Sequence, residues 1–161
     1  MKFYDMGVPE TAGDVAYGTG ITYPGKVGDE YFMTKGHFHV LDTAEVYYCL
    51  RGHGFMLMEN PEGDWEAQEL TPGKAVYVPG RYAHRSVNIS PDEPLITFFA
   101  FPGHAGHDYG TIETQGFRKL IVQRDGQPAA CRQSQVEEIV AGCLQARPFA
   151  TVYADFEHRE L

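Results

Sequence analysis

The sequence predicts an all-β fold, a sandwich or small barrel, in a single domain spanning residues 1–161. Three observations point there. Eighteen Gly and ten Pro cut the chain into short segments. Those segments are rich in β-branched and aromatic residues, and turn residues bound them at even spacing. Such spacing fits a sandwich or barrel better than alternating βαβ units. Taken in order, the expected strands are Glu45–Leu50, Gly54–Met58, Ala75–Val78 and Leu95–Phe101. The turns that bound them are Arg51-Gly52-His53-Gly54, Pro61-Glu62-Gly63-Asp64, Thr71-Pro72-Gly73 and Ser90-Pro91-Asp92. One segment changes period: from Ser134, residues Val136, Ile139, Val140, Cys143 and Leu144 share a helical face. Ser134 and Glu137 form a capping box, so a short C-terminal helix is expected there, packed outside the β core. Nothing reads as a linker, repeat or low-complexity tract.

Composition narrows the function classes. Thirteen Lys and Arg against 22 Asp and Glu leave a net charge of −9, which argues against nucleic acid and anionic membranes as partners. No apolar run reaches the roughly 18–20 residues of a membrane span, and the opening Met1-Lys2-Phe3-Tyr4-Asp5 lacks the apolar stretch of a secretion signal. Cys49, Cys131 and Cys143 are an odd number at wide spacing, matching neither a disulfide framework nor a CxxC zinc site. A reduced, cytoplasmic enzyme or binding protein is expected.

The densest polar cluster is Lys35-Gly36-His37-Phe38-His39, followed by Glu45. Side chains two apart on a strand share a face, so His37 and His39 would point the same way. Two imidazoles and a nearby carboxylate can supply three ligands to a divalent ion. A second cluster runs from Gly73 through Pro79 and Arg81 to His84 and Asn88, and delivers a histidine that could be a fourth ligand.

These two stretches resemble the paired signatures of the cupin superfamily, with the six residues between Glu45 and Gly52 matching the first. Two departures are visible: five residues separate His39 from Glu45 where three or four are usual, and Arg81 stands where the second motif has glycine. More specifically, Tyr23-Pro24-Gly25-Lys26-Val27-Gly28, Tyr31, Thr34-Lys35-Gly36-His37-Phe38-His39 and Ala44-Glu45-Val46-Tyr47 resemble the cupin-type phosphoglucose isomerases. Tyr77-Val78-Pro79, Ala83-His84-Arg85, Val87-Asn88-Ile89 and Ala105-Gly106-His107-Asp108-Tyr109-Gly110-Thr111 do so too. The resemblance implies a double-stranded β-helix of jelly-roll type with the site in the barrel mouth. It implies that His37, His39, Glu45 and His84 converge on one divalent metal ion, with iron first and manganese, nickel or zinc as the other candidates. It further implies a homodimer, and a chain that starts near the end of the longer N-terminal segment of archaeal relatives.

The implied reaction interconverts glucose 6-phosphate and fructose 6-phosphate in glycolysis or gluconeogenesis. A metal could stabilise an enediolate or polarise the carbonyl during a hydride shift, and both routes stand open at this stage. Glu45 is the carboxylate nearest the expected site. By resemblance, His107 and Tyr109 are candidates for ring opening or for holding sugar hydroxyls. Tyr47 shares the face of Glu45 and could bond the sugar or fill the barrel. For the phosphate the candidates are Thr34 and Lys35, the backbone N–H groups of Gly36 and Thr19, and Tyr4. Lys26 and Arg85 read as surface charges, and His53, His104 and His158 as exposed. Phe101 stands where the relatives have a tyrosine that approaches the sugar. Two other readings remain: an iron-dependent cupin dioxygenase, and a non-catalytic sugar-phosphate binding protein.

Overall fold

The computed structural model describes residues 2–133. In chain order the elements are β1 (Lys2–Asp5), β2 (Val15–Thr22), β3 (Lys26–Val27), β4 (Glu30–Tyr31), β5 (Phe38–His39), β6 (Glu45–Arg51), β7 (Gly54–Glu59) and β8 (Trp65–Leu70). Then come β9 (Ala75–Val78), β10 (Ala83–Asn88), β11 (Leu95–Pro102), β12 (His107–Asp108), α1 (Gly110–Gln115), β13 (Lys119–Arg124) and β14 (Gln127–Arg132). The expected strands are all present. The helix α1 was not foreseen, and the expected helix from Ser134 lies outside the described residues.

The strands form three layers. The outer layer is a five-stranded sheet in the order β1-β2-β11-β6-β9, and the middle layer is β10-β7-β8. Between them lies a core of Cys49, Met56, Met58, Leu70, Val76, Val78 and Leu95, with Tyr47 and Tyr82 packed against it. Alternation along β6 puts Glu45, Tyr47 and Cys49 toward that core and Val46, Tyr48 and Leu50 outward. The third layer, β14-β13-β4-β3, covers the far side of the middle sheet. There Tyr31, Leu57, Ala83, Val87, Ile112, Phe117 and Ile121 make a second core. Every residue of β10 is therefore buried: Ala83 and Val87 face the second core, while His84 faces Glu45 on the outer sheet.

Residues 32–37 run antiparallel beside β10 and position the site. Met33 bridges Val87 and His37 bridges His84, while Asn88 N–H donates to Phe32 O at 2.9 Å. Gly36 makes the close approach possible. Its φ is +82°, and a Cβ there would lie 2.7 Å from the Phe117 ring and 2.9 Å from His84 O. Arg85 corrects the expectation of a surface charge. It is 6% exposed, donates from Nη2 to Lys35 O at 2.7 Å, and lies 3.9 Å over the Phe117 ring. Among the described residues, no helix is long and apolar enough to cross a membrane.

Candidate metal centre

Four side chains meet at one end of the first core. His37 arrives through its bridge to His84, with His84 N–H donating to His37 O at 3.1 Å. His39 lies on β5, whose partner β12 places His107 directly across from it. Glu45 opens β6 and His84 is the second residue of β10. Each of the four offers a ligand atom, and these atoms lie within 4.8 Å of one another. The rings of His37 and His39 stack with centroids 5.6 Å apart, so both face the cluster as the two-residue spacing predicts. Only Phe38 and His39 are in a strand, however; His37 owes its orientation to β10. The unusual spacing from His39 to Glu45 does not displace the carboxylate, because the intervening loop is folded back onto His39 by Thr43.

The hydrogen bonds fix what these groups can do. His39 Nδ1 lies 2.9 Å from Thr43 O, and His84 Nδ1 lies 3.2 Å from Tyr82 O. A carbonyl only accepts, so each Nδ1 carries a proton and each Nε2 is the nitrogen turned inward. Both lie within hydrogen-bond reach of Glu45 Oε2, at 3.2 Å from His39 Nε2 and 2.8 Å from His84 Nε2. A proton on either Nε2 donates to the carboxylate, and a cation in its place would meet a lone pair. His37 Nε2 is buried without a hydrogen-bond partner. With each Nε2 deprotonated, three lone pairs and a carboxylate would converge in a dry site, an arrangement that positive charge between them stabilises. A divalent cation supplies it, and the donor set of three imidazoles and one carboxylate fits such an ion.

Titration behaviour follows from the same geometry. Burial, helped by the neighbouring His84 and His107, drives the His37 pKa down to about 2, so this ring is neutral at physiological pH. Burial would raise the Glu45 pKa, but hydrogen bonds with His39 and His84 outweigh it and bring it to about 2. Burial first, and then the Glu45 charge, push the Tyr47 phenol well above its ordinary value.

Around the cluster, Tyr47 hydrogen-bonds Glu45, and its ring lies 5.7 Å from that of His84. His107 sits 4.5 Å from His37 and stacks on Tyr109 at 5.8 Å. Tyr109 is also 5.1 Å from His37. Phe101 closes an apolar side, 5.6 Å from His39 and 5.0 Å from His107. Lys35 lies over the Tyr109 ring at 5.2 Å. The Thr34 hydroxyl accepts the N–H of Ser86 at 3.0 Å, two residues along β10 from His84.

Two expected phosphate contacts are corrected. Thr19 pairs with Phe98 on β11 and with Tyr4 on β1. Strand alternation sets these three on the opposite face of the sheet from Phe99, which lies 6.2 Å from Tyr47. Neither Thr19 nor Tyr4 turns its side chain to the cluster, and Thr19 sits mid-strand with a hydrogen-bonded neighbour on each side. Arg81 pairs with Glu62 at the surface. Residues that sequence reasoning missed are Thr43, which orients His39, and Arg85, which pins the ligand segment. A Thr two residues before a candidate ligand was visible in the sequence, but nothing local marked it as a partner.

Comparison with known proteins places this geometry. The family model described as "Glucose-6-phosphate isomerase (GPI)" matches residues 3–138. A glucose-6-phosphate isomerase of Pyrococcus furiosus is 50% identical over 127 residues, covering 78% of this chain and 67% of the relative. That of Thermococcus litoralis is 48% identical over 126 residues, covering 78% and 66%. One from Sinorhizobium medicae is 42% identical over 119 residues, covering 73% and 55%. The chain thus spans about two thirds of the length of the two archaeal relatives. Among solved structures, an oxalate oxidase bound to glycolate aligns with a TM-score of 0.51 at 12% identity, over 62% of this chain and 47% of its own. A second oxalate oxidase structure gives 0.52 at 12% identity, over 86% and 59%. At such identity the likeness shows the fold alone, the double-stranded β-helix of cupins.

Proposed function

Because the chain belongs to the glucose-6-phosphate isomerase family, we propose that it interconverts glucose 6-phosphate and fructose 6-phosphate with one divalent ion held by His37, His39, Glu45 and His84. The observation that carries the reading is the convergence of these four side chains, whose ligand atoms lie within 4.8 Å of one another and among which His37 Nε2 is buried with no partner among the described residues. The donor set suits iron, with manganese, nickel and zinc as the alternatives. Bound there, the ion would polarise the sugar carbonyl and offset negative charge developing on its oxygens.

The protein's own residues do the remaining work. Glu45, as a ligand of the ion, would have its basicity depressed by the cation and be a poor base for a carbon-bound hydrogen, so a direct shift of hydrogen between C2 and C1 is favoured over its removal by Glu45. Deuterium at C2 of glucose 6-phosphate is then expected to stay in the product, and washout into water would contradict this. His107 is neutral, its pKa lowered chiefly by burial, and can take a hydroxyl proton as the sugar ring opens. Tyr47 holds Glu45 in place and offers its phenol beside the sugar. Tyr109 bounds the mouth and can bond a sugar hydroxyl. Lys35, Thr34 and the N–H of Gly36 receive the phosphate, on the side of the cluster where residues 34–36 lie along β10.

A second copy of the chain is the partner we assign to the outer face of the five-stranded sheet. Val15, Tyr17, Val46, Tyr48, Leu50 and Tyr77 are all exposed there, more apolar side chains than a lone domain usually shows on one face. Cys49 and Cys131 are free thiols, in keeping with a reducing cytoplasmic setting. The test of the activity is direct: purified protein given fructose 6-phosphate should form glucose 6-phosphate. Absence of turnover in metal-replete protein would overturn the isomerase reading.

A further inference from the structure

Lys35 is not free in the resting site. Its ammonium pairs with the carboxylate of Glu113 on α1 and lies 5.2 Å over the Tyr109 ring. That ring is itself 5.1 Å from His37, so the ion pair stands at the rim of the metal cluster. The neighbouring cation, Arg85, is committed elsewhere, to Lys35 O and the Phe117 ring. The Glu113 side chain is 57% exposed and that of Lys35 27%, so Glu113 can swing into water while Lys35 stays at the rim. The cap of α1 does not need Glu113, since Asp108 accepts from both the N–H and the hydroxyl of Thr111, at 3.1 and 2.6 Å.

We propose that Glu113 is an internal competitor for Lys35: it occupies the ammonium while the site is empty, and an incoming phosphate dianion displaces it. The inference rests on the isomerase reading and deepens it, since it makes Glu113 a determinant of affinity for the phosphate. A ligand that needs free Lys35 binds weaker by the reciprocal of the fraction of time Lys35 is free. An exposed ion pair is weak, so the expected effect is roughly two- to five-fold. The pair also keeps Lys35 neutralised in a chain whose net charge is −9. A neutral sugar gains nothing by breaking it, whereas a phosphate dianion offers two charges against one.

The test is a cycle of Glu113→Gln, Lys35→Met and the double variant, read by steady-state kinetics with fructose 6-phosphate and by calorimetric titration with inorganic phosphate. Glu113→Gln should lower KM and the phosphate Kd by the same two- to five-fold, leaving kcat unchanged. In the Lys35→Met background, where both constants are raised, the same change should do nothing. A raised KM or lowered kcat in Glu113→Gln would mean the pair only tethers α1, and an equal gain in the Lys35→Met background would mean Glu113 acts by general repulsion; either overturns the proposal. If wild-type protein binds phosphate but turns over no sugar, the isomerase reading fails, and the phosphate titration alone decides the role of Glu113.

Discussion

His37, His39, Glu45 and His84 bring their ligand atoms within 4.8 Å of one another, and the consequences can be read one residue at a time. His84→Ala removes one ligand and leaves Glu45 facing a void, so metal content should fall from about one ion per chain toward zero, with activity falling at least a hundredfold. Elemental analysis and the isomerase assay check the two together. Thr43→Val keeps the carbonyl that accepts from His39 Nδ1 but deletes the hydroxyl 2.9 Å away. Metal affinity, measured against a chromophoric chelator, should weaken about tenfold with the fold intact. Arg81 holds φ at +65°, a conformation that strains a residue with a Cβ. Arg81→Gly should raise stability by about 1 kcal/mol, or about 3 °C in Tm by calorimetry, because the exposed pair with Glu62 contributes little. The glycine of the second cupin signature thus has a backbone reason, and this chain departs from it at a cost. The four members of the candidate cluster were legible in the sequence because their spacing is carried by two short local patterns. Tyr4 does not reach the cluster because the face a strand turns inward depends on register with neighbours far away in sequence, and the backbone of Thr19 is taken up by pairing of β2 between β1 and β11.

At the scale of elements, the middle sheet and the layer behind it explain what local patterns could not. Strands β6, β7, β9 and β11 announced themselves by β-branched and aromatic runs between turns. The hairpin of β13 and β14 turns on Asp125-Gly126, both with positive φ, a dipeptide signal that a search for apolar runs passes over. Helix α1 is six residues long, too short for a periodic pattern to register. Arg85 looked like surface because it sits between His84 and Ser86, whereas the third layer covers it. Glu30 of β4 is buried in that layer at 4% exposure. Burial raises its pKa from 4.5 to about 7, with Arg85 pulling the other way without cancelling it. A folded pKa above the unfolded one means its contribution is fully present below pH 4.5 and is lost as pH rises through 7. Glu30→Gln should therefore remove a loss of about 3 kcal/mol between those pH values. Urea unfolding of both proteins at pH 4.5 and pH 8 measures it. A constant difference between them at the two pH values would contradict the account.

For the whole molecule, the layered barrel leaves one sheet face apolar and uncovered among the described residues, and sets the polar cluster at the end of its inner core. Tyr48→Lys, placed on that face and away from Glu45, should convert a dimer to a monomer by light scattering at unchanged concentration. It should leave metal content unaltered, because Tyr48 and Glu45 point to opposite sides of the sheet. The most direct measurement returns metal stepwise to chelated protein while isomerisation of fructose 6-phosphate is followed. Activity is expected to start near zero, rise in proportion to added ion, and level off at about one equivalent per chain. Full activity before any ion is added would contradict the claim that these four side chains serve the reaction by holding a metal.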